Sequence, residues 1–190
     1  MKKVFGFTLM ETIIVIGIVG LIIPVIFSVI YSILRQQTKV YILSQIKREG
    51  DNALNIISTL IRNNAVSIHS GPPNDNNRVC STVELNNYES DNGTNFYFLD
   101  KSNEWFRFYL RSYNQVYKIS SQSSVLNATT ELTSFSNSQI TNFVISCEGE
   151  SVLTPPIVSI SFTVEQPEES ERPEETASLN YQTKIKLRPH

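Results

Sequence analysis

Histidine and cysteine are nearly absent from this 190-residue chain, with two of each. His69 stands beside a Gly-Pro-Pro stop and His190 is the last residue. Neither lies in a metal-ligand or nucleophile spacing, and both read as exposed chance histidines. The seven glycines nowhere cluster into a loop that would cradle phosphate. No catalytic residue, no cofactor and no metal site is therefore expected, and the chain reads as a non-enzyme. The first cysteine is Cys80, too far along for lipoprotein processing, and no alanine precedes Ala53, so the small-residue site of a cleaved secretory signal is missing. Excess charge is lacking too. A net charge of -2 gives no reason to expect nucleic acid or a strongly acidic partner.

What the chain does have is one long oily run. Residues 12–34, TIIVIGIVGLIIPVIFSVIYSIL, are apolar apart from small hydroxyls and one tyrosine. At about 1.5 Å per residue they reach roughly 35 Å, enough to cross a hydrocarbon core of about 30 Å. This predicts a retained membrane-spanning helix in contact with lipid. Lys2 and Lys3 precede it, but Arg35, Lys39, Lys47 and Arg48 follow it, so basic residues do not choose an orientation. Glu11 stands at the mouth of the run. A carboxylate inside a spanning helix costs a few kcal/mol and is a functional candidate by default.

The stretch KKVFGFTLMETIIVIG, residues 2–17, resembles the prepilin signal of type IV pilins and of the pseudopilins of type II secretion. The matching order is a short basic leader, Gly6, the aromatic Phe7, Thr8-Leu9, a variable residue, Glu11, then an unbroken apolar helix. The resemblance implies cleavage between Gly6 and Phe7 by a membrane-embedded prepilin peptidase on the cytoplasmic face, and N-methylation of the new Phe7 amine. It implies that Glu11 meets such an amine when subunits pack into a filament. It also implies an orientation, with the leader inside the inner membrane and everything after Leu34 outside. Further implied partners are other pilins or pseudopilins and an inner-membrane assembly platform. The size and the sheet-rich remainder look more like a J-type minor pseudopilin or a larger minor pilin than like a minimal major pilin.

Beyond the span, Val40, Leu43, Ile46, Ala53, Leu54, Ile57, Leu60 and Ile61 recur at helical spacing, with Lys47, Arg48, Asp51 and Arg62 among them. The reading is one helix over about 8–66, tolerating Gly50 at about 1 kcal/mol relative to alanine and ended by Gly71-Pro72-Pro73. Pro24 removes a helix bond to Gly20 and predicts a kink; Gly17, Gly20 and Pro24 are either ordinary membrane-helix residues or, as the resemblance implies, a stretch that melts in the filament. The divisions are a leader over 1–6, a spanning helix over 7–34, an amphipathic helix over 35–66 and a head over 67–190.

The head is expected to be β-rich. Strand-like runs are VCSTVEL (79–85), NFYFLD (95–100), WFRFYLR (105–111), VYKISS (116–121), QITNFVISCE (139–148), IVSISFTVE (157–165) and SLNYQTKIKLR (178–188). Val158, Ile160, Phe162 and Val164 alternate with polar residues, as do Leu179, Tyr181, Thr183, Ile185 and Leu187. That pattern suits an antiparallel sheet with one wet face and one face on the helix. The fold class is thus α+β, a long N-terminal helix on an antiparallel sheet, as in pilins. Trp105, Phe106, Phe108 and Tyr109 read as a strand with core on one side and sheet surface on the other, with an exposed binding face as the alternative. Residues 165–177, with six glutamates and two prolines, read as a solvated loop and not as a calcium site. NGT at 92–94 and NAT at 127–129 match the glycosylation acceptor pattern and receive no role. Cys80 and Cys147, both in expected strands of a head facing an oxidising compartment, are expected to pair, against two buried free thiols. Two functions compete on this reading: a filament subunit, and an anchored module whose head binds a surface, a secreted substrate or DNA. An exposed aromatic patch or a basic groove would favour the second.

Overall fold

The computed structural model describes residues 8–81, 87–113, 116–125, 129–133, 138–149, 154–166 and 177–187. Two compact units divide the chain, Met1–Tyr41 and Ile42–His190. Helix α1 is Leu9–Asn64. The strands are β1 (Ser67–His69), β2 (Arg78–Val79), β3 (Tyr88–Asp91), β4 (Tyr97–Leu99), β5 (Trp105–Tyr113), β6 (Val116–Ser123), β7 (Thr129–Glu131), β8 (Gln139–Glu148), β9 (Ile157–Glu165) and β10 (Ser178–Lys186). The class is α+β, a long N-terminal helix with antiparallel sheets.

In the first unit the helix is apolar on all sides. From Leu9 to Leu34 its large apolar side chains are between 45% and 78% exposed. The most apolar window of α1 has a mean hydropathy of 3.1, and none of it is buried. The helix is long and apolar enough to span a membrane. It runs through Pro24 without interruption.

In the second unit the described strands form two antiparallel sheets where one was expected. One has the order β2-β1-β4-β5-β6-β7, the other β10-β9-β8-β3. From Ile42 on, α1 buries Ile46, Gly50, Ala53, Ile57 and Ile61, spaced four, three, four and four residues apart. That stripe is the amphipathic face expected from the spacing, shifted toward the C-terminus, because Val40 is 65% exposed. The helix also ends earlier than expected. It stops at Asn64, and Ser67–His69 is already a strand, so Gly71-Pro72-Pro73 belongs to the loop after β1.

Period-two patterning decided the later strands. Val158, Ile160, Phe162 and Val164 are each at most 1% exposed, and Ile140, Ile145 and Cys147 of β8 are equally buried. Fully burying one such side chain contributes about 1.5–3 kcal/mol. In the six-stranded sheet, Phe98, Phe108 and Ile119 are fully buried. Phe98 stacks on Phe106, with centroids 5.3 Å apart and 18° between the planes. The aromatic quartet of β5 is therefore split between the faces of the sheet: Phe106 and Phe108 point to the core, and Trp105 and Tyr109 point out.

The chain crosses between sheets at Asn92-Gly93, where both residues have positive φ, 60° and 67°. Only glycine suits the second position, because a Cβ there would overlap the Phe108 carbonyl. The Asn92 N–H donates to the Phe143 carbonyl of β8 at 2.7 Å, and its own carbonyl accepts from the Leu110 N–H of β5 at 2.8 Å. Phe143 is exposed to that bond by a bulge in β8 between Thr141 and Val144, where Asn142 also has φ 53°.

Gly50 has a role beyond tolerance. Tyr181 of β10 stacks on Phe162 at 5.2 Å and 15°, and its hydroxyl donates to the Lys47 carbonyl at 3.1 Å. Its ring lies where a Gly50 Cβ would be. Burial, with the Asp51 charge adding, pushes the Tyr181 phenol up to about 12. Gly50→Ala gains about 0.8–1 kcal/mol of helix propensity, but it overpacks a ring fixed by stacking and a hydrogen bond, which typically costs 1–3 kcal/mol. The expected outcome is a net loss of up to about 2 kcal/mol, read as a lower denaturation midpoint. A gain in stability would show that the ring moves aside freely.

Candidate functional site

The motif residues meet at the entrance of α1. Thr8 immediately precedes the helix, and Glu11 is its third residue. The Glu11 carboxylate accepts from the Thr8 N–H at 2.9 Å and from the Thr8 hydroxyl at 3.0 Å. In return, the Glu11 N–H donates to the Thr8 hydroxyl oxygen at 3.4 Å. This is a reciprocal capping box, which satisfies donors that the first turn would leave open. In hydrocarbon such a donor costs several kcal/mol if unsatisfied, so the cap matters more at this helix end than at one in water. The Thr-x-x-Glu signature of residues 8–11 was legible in the sequence and was passed over for the motif around it. Both bonds land on Oε2, and among the described residues Oε1 has no partner. The acid can close its own helix and still accept from a second donor.

Gly6 and Phe7, where cleavage and methylation are expected, lie outside the described residues. Gly17 and Gly20 have nothing within 4 Å of where a Cβ would stand. At the other end of the oily run, the Arg35 guanidinium lies over the Tyr31 ring, 4.6 Å from its centroid, and donates to the tyrosine hydroxyl at 2.9 Å. A tyrosine topped by a snorkelling arginine is what a membrane–water boundary favours.

In the head, Cys80 and Cys147 form a disulfide, with Cα atoms 6.1 Å apart. Cys147 lies in β8, but Cys80 is not in a strand as expected. It follows the two-residue β2 with φ 51°. Much of the expected strand over 79–85 and of the acidic loop over 165–177, along with His190, lies outside the described residues. Among the described residues no three His, Cys, Asp or Glu side chains gather as a metal site requires.

His69 corrects a second expectation, since it is buried at 5% exposure. Its Nε2 lies 3.0 Å from Ser67 Oγ and its Nδ1 2.8 Å from Asn77 Oδ1. That is the atom order of a hydrolytic triad. With Ser67 also buried at 8% exposure, no substrate carbonyl can approach the hydroxyl. Asn77 meanwhile accepts from the Asn74 N–H and donates to the Pro72 carbonyl. The group is a clamp on the loop between β1 and β2.

A different kind of surface lies on the outward face of β5. Arg107 is sandwiched between Tyr97 and Tyr109, its guanidinium carbon 5.0 and 4.7 Å from the two centroids. It donates twice to Gln122 Oε1, at 2.9 and 2.7 Å, and once each to the Tyr97 hydroxyl and the Thr94 carbonyl. Trp105 meets Tyr97 edge-on at 5.3 Å. The alternation Trp-x-Arg-x-Tyr-x-Arg-x-Tyr over 105–113 stands in the sequence and marks the surface side of this strand. Comparison with protein-family models, with curated proteins and with solved structures finds no match for this chain.

Proposed function

We propose that this chain is a minor pilin or pseudopilin: a processed, membrane-anchored structural subunit of a type IV pilus or of a type II secretion-like filament. The observation that carries the reading is the entrance of α1. A carboxylate with one oxygen still open heads an apolar helix that nothing in its own unit covers. Such a surface needs lipid before assembly and other helices after it. A neighbour's Phe7 amine is the donor that the prepilin motif supplies for Glu11. On this reading the N-terminus is cytoplasmic and the head lies outside the inner membrane, later on the pilus or pseudopilus. The Cys80–Cys147 disulfide supports that side, because such bonds persist in oxidising compartments. The subunit works with prepilin peptidase, sister pilins and an inner-membrane assembly platform, and it carries no enzymatic activity.

Processing tests the proposal directly. Mass spectrometry of the N-terminal peptide from cells containing a prepilin peptidase should find a chain that begins at Phe7 with a methylated amine. A chain that still begins at Met1 or Lys2 in those cells would end the pilin reading.

A further inference from the structure

The outward positions of β5 are Trp105, Arg107, Tyr109, Arg111 and Tyr113, about 6.7 Å apart from one to the next at the usual strand rise. Opposite them Phe106, Phe108 and Leu110 face the core. Rings and guanidinium groups therefore alternate in a single row. Cross-strand register adds Lys118 opposite Arg111 and Gln122 opposite Arg107. The groups that hold Arg107 (Gln122, Tyr97 and Thr94) are neutral, so its charge is oriented without being cancelled. Arg111 is exposed, and Tyr113 is 62% exposed. Among the described residues, register places one acid on this face, Glu131 of β7 opposite Ser120. A net charge of -2 for the whole chain conceals this local excess of positive charge, because six glutamates are concentrated in residues 165–177.

We propose that this face binds single-stranded nucleic acid, with bases against the Trp105 and Tyr113 rings and phosphates against the exposed Arg111. The occupant follows from charge and shape together. A row of cations alone would take any polyanion. Cations interleaved with flat rings favour a polyanion whose units each carry one phosphate and one planar ring. Guanidinium groups add bidentate geometry for phosphate. The rings are spread along a flat strand, where a single strand can splay its bases and a duplex keeps them stacked inside. The proposal does not depend on polymerisation, so it stands or falls separately from the filament role.

Trp105 is the chain's one tryptophan and lies within the proposed site, so its emission reports binding there. The full chain in detergent micelles would be titrated with a dye-labelled thymidine oligonucleotide while anisotropy and tryptophan emission are followed. Binding with quenching is expected, weakening roughly tenfold between 50 and 200 mM salt if two or three phosphates are neutralised. Arg111→Ala and Tyr113→Ala, both at exposed positions outside the core, should each weaken binding at least about fivefold. Absence of binding, or binding unchanged in both variants, would overturn the assignment. So would equal displacement by a duplex of the same sequence, or by an acidic polysaccharide at matched charge.

Discussion

Glu11→Leu protein should accumulate in the membrane yet be missing from sheared filaments and from complexes with sister subunits. Leucine makes the span more apolar, which offsets the lost bond from the Thr8 N–H, so the protein should still insert. If Glu11 pairs with a neighbour's Phe7 amine as proposed, the change leaves a buried cationic amine in the filament without its partner. Removing one member of such a pair costs about 3–5 kcal/mol, on the order of a thousandfold in an assembly constant. The capping box adds a sharper test, because Glu11 already serves its own helix through Thr8. Glutamine keeps the capping-box acceptor and removes the charge. Glu11→Gln should therefore insert and begin its helix as the wild type does, yet still be lost from filaments. If Glu11→Gln is recovered in filaments at the wild-type level, the carboxylate is a helix cap and nothing more.

The second large effect concerns the disulfide. The bond joins residues 67 apart in sequence, tying the chain just after β2 of one sheet to β8 of the other. Chain entropy assigns about 4 kcal/mol to closing so long a loop. Cys80→Ser with Cys147→Ser should lower the denaturation midpoint of the full chain accordingly, a large share of the 5–15 kcal/mol typical of a domain. Tryptophan emission during a denaturant titration would measure it. An unchanged midpoint would mean that the two ends of the loop are already held together by other contacts in the denatured chain.

Legibility in the sequence followed the strength of the local pattern. β9 has the bounds read from its alternation, because every second residue is a large apolar one with nowhere else to go, and β8 has its expected bounds although a bulge breaks its period. β1, β3 and β7 were missed. They are three or four residues long, and tertiary pairing, not pattern, makes them strands. The end of α1 falls two residues before the expected one, at the Asn63-Asn64 pair that weakens the helical pattern. His69 looked like a surface residue because its two partners, Ser67 and Asn77, become a set only when β1 and the following loop fold together. At the candidate site the residue types were plain and their local geometry was not. Glu11 could be singled out from its position, but the bond that it makes to its own chain lay in a four-residue signature hidden by the larger motif.

Asn92 holds one further consequence. Through its N–H it bonds to β8 and through its carbonyl to β5, so the peptide before this residue is tied to one sheet and the peptide after it to the other. Opening either sheet there pulls on the residue that also holds the other. Local openings that let one sheet exchange its amide protons while the second stays closed are therefore suppressed, and the slowest amides of the two sheets share one opening event. The left-handed turn that looked like a mere connection sets the size of the unit that breathes.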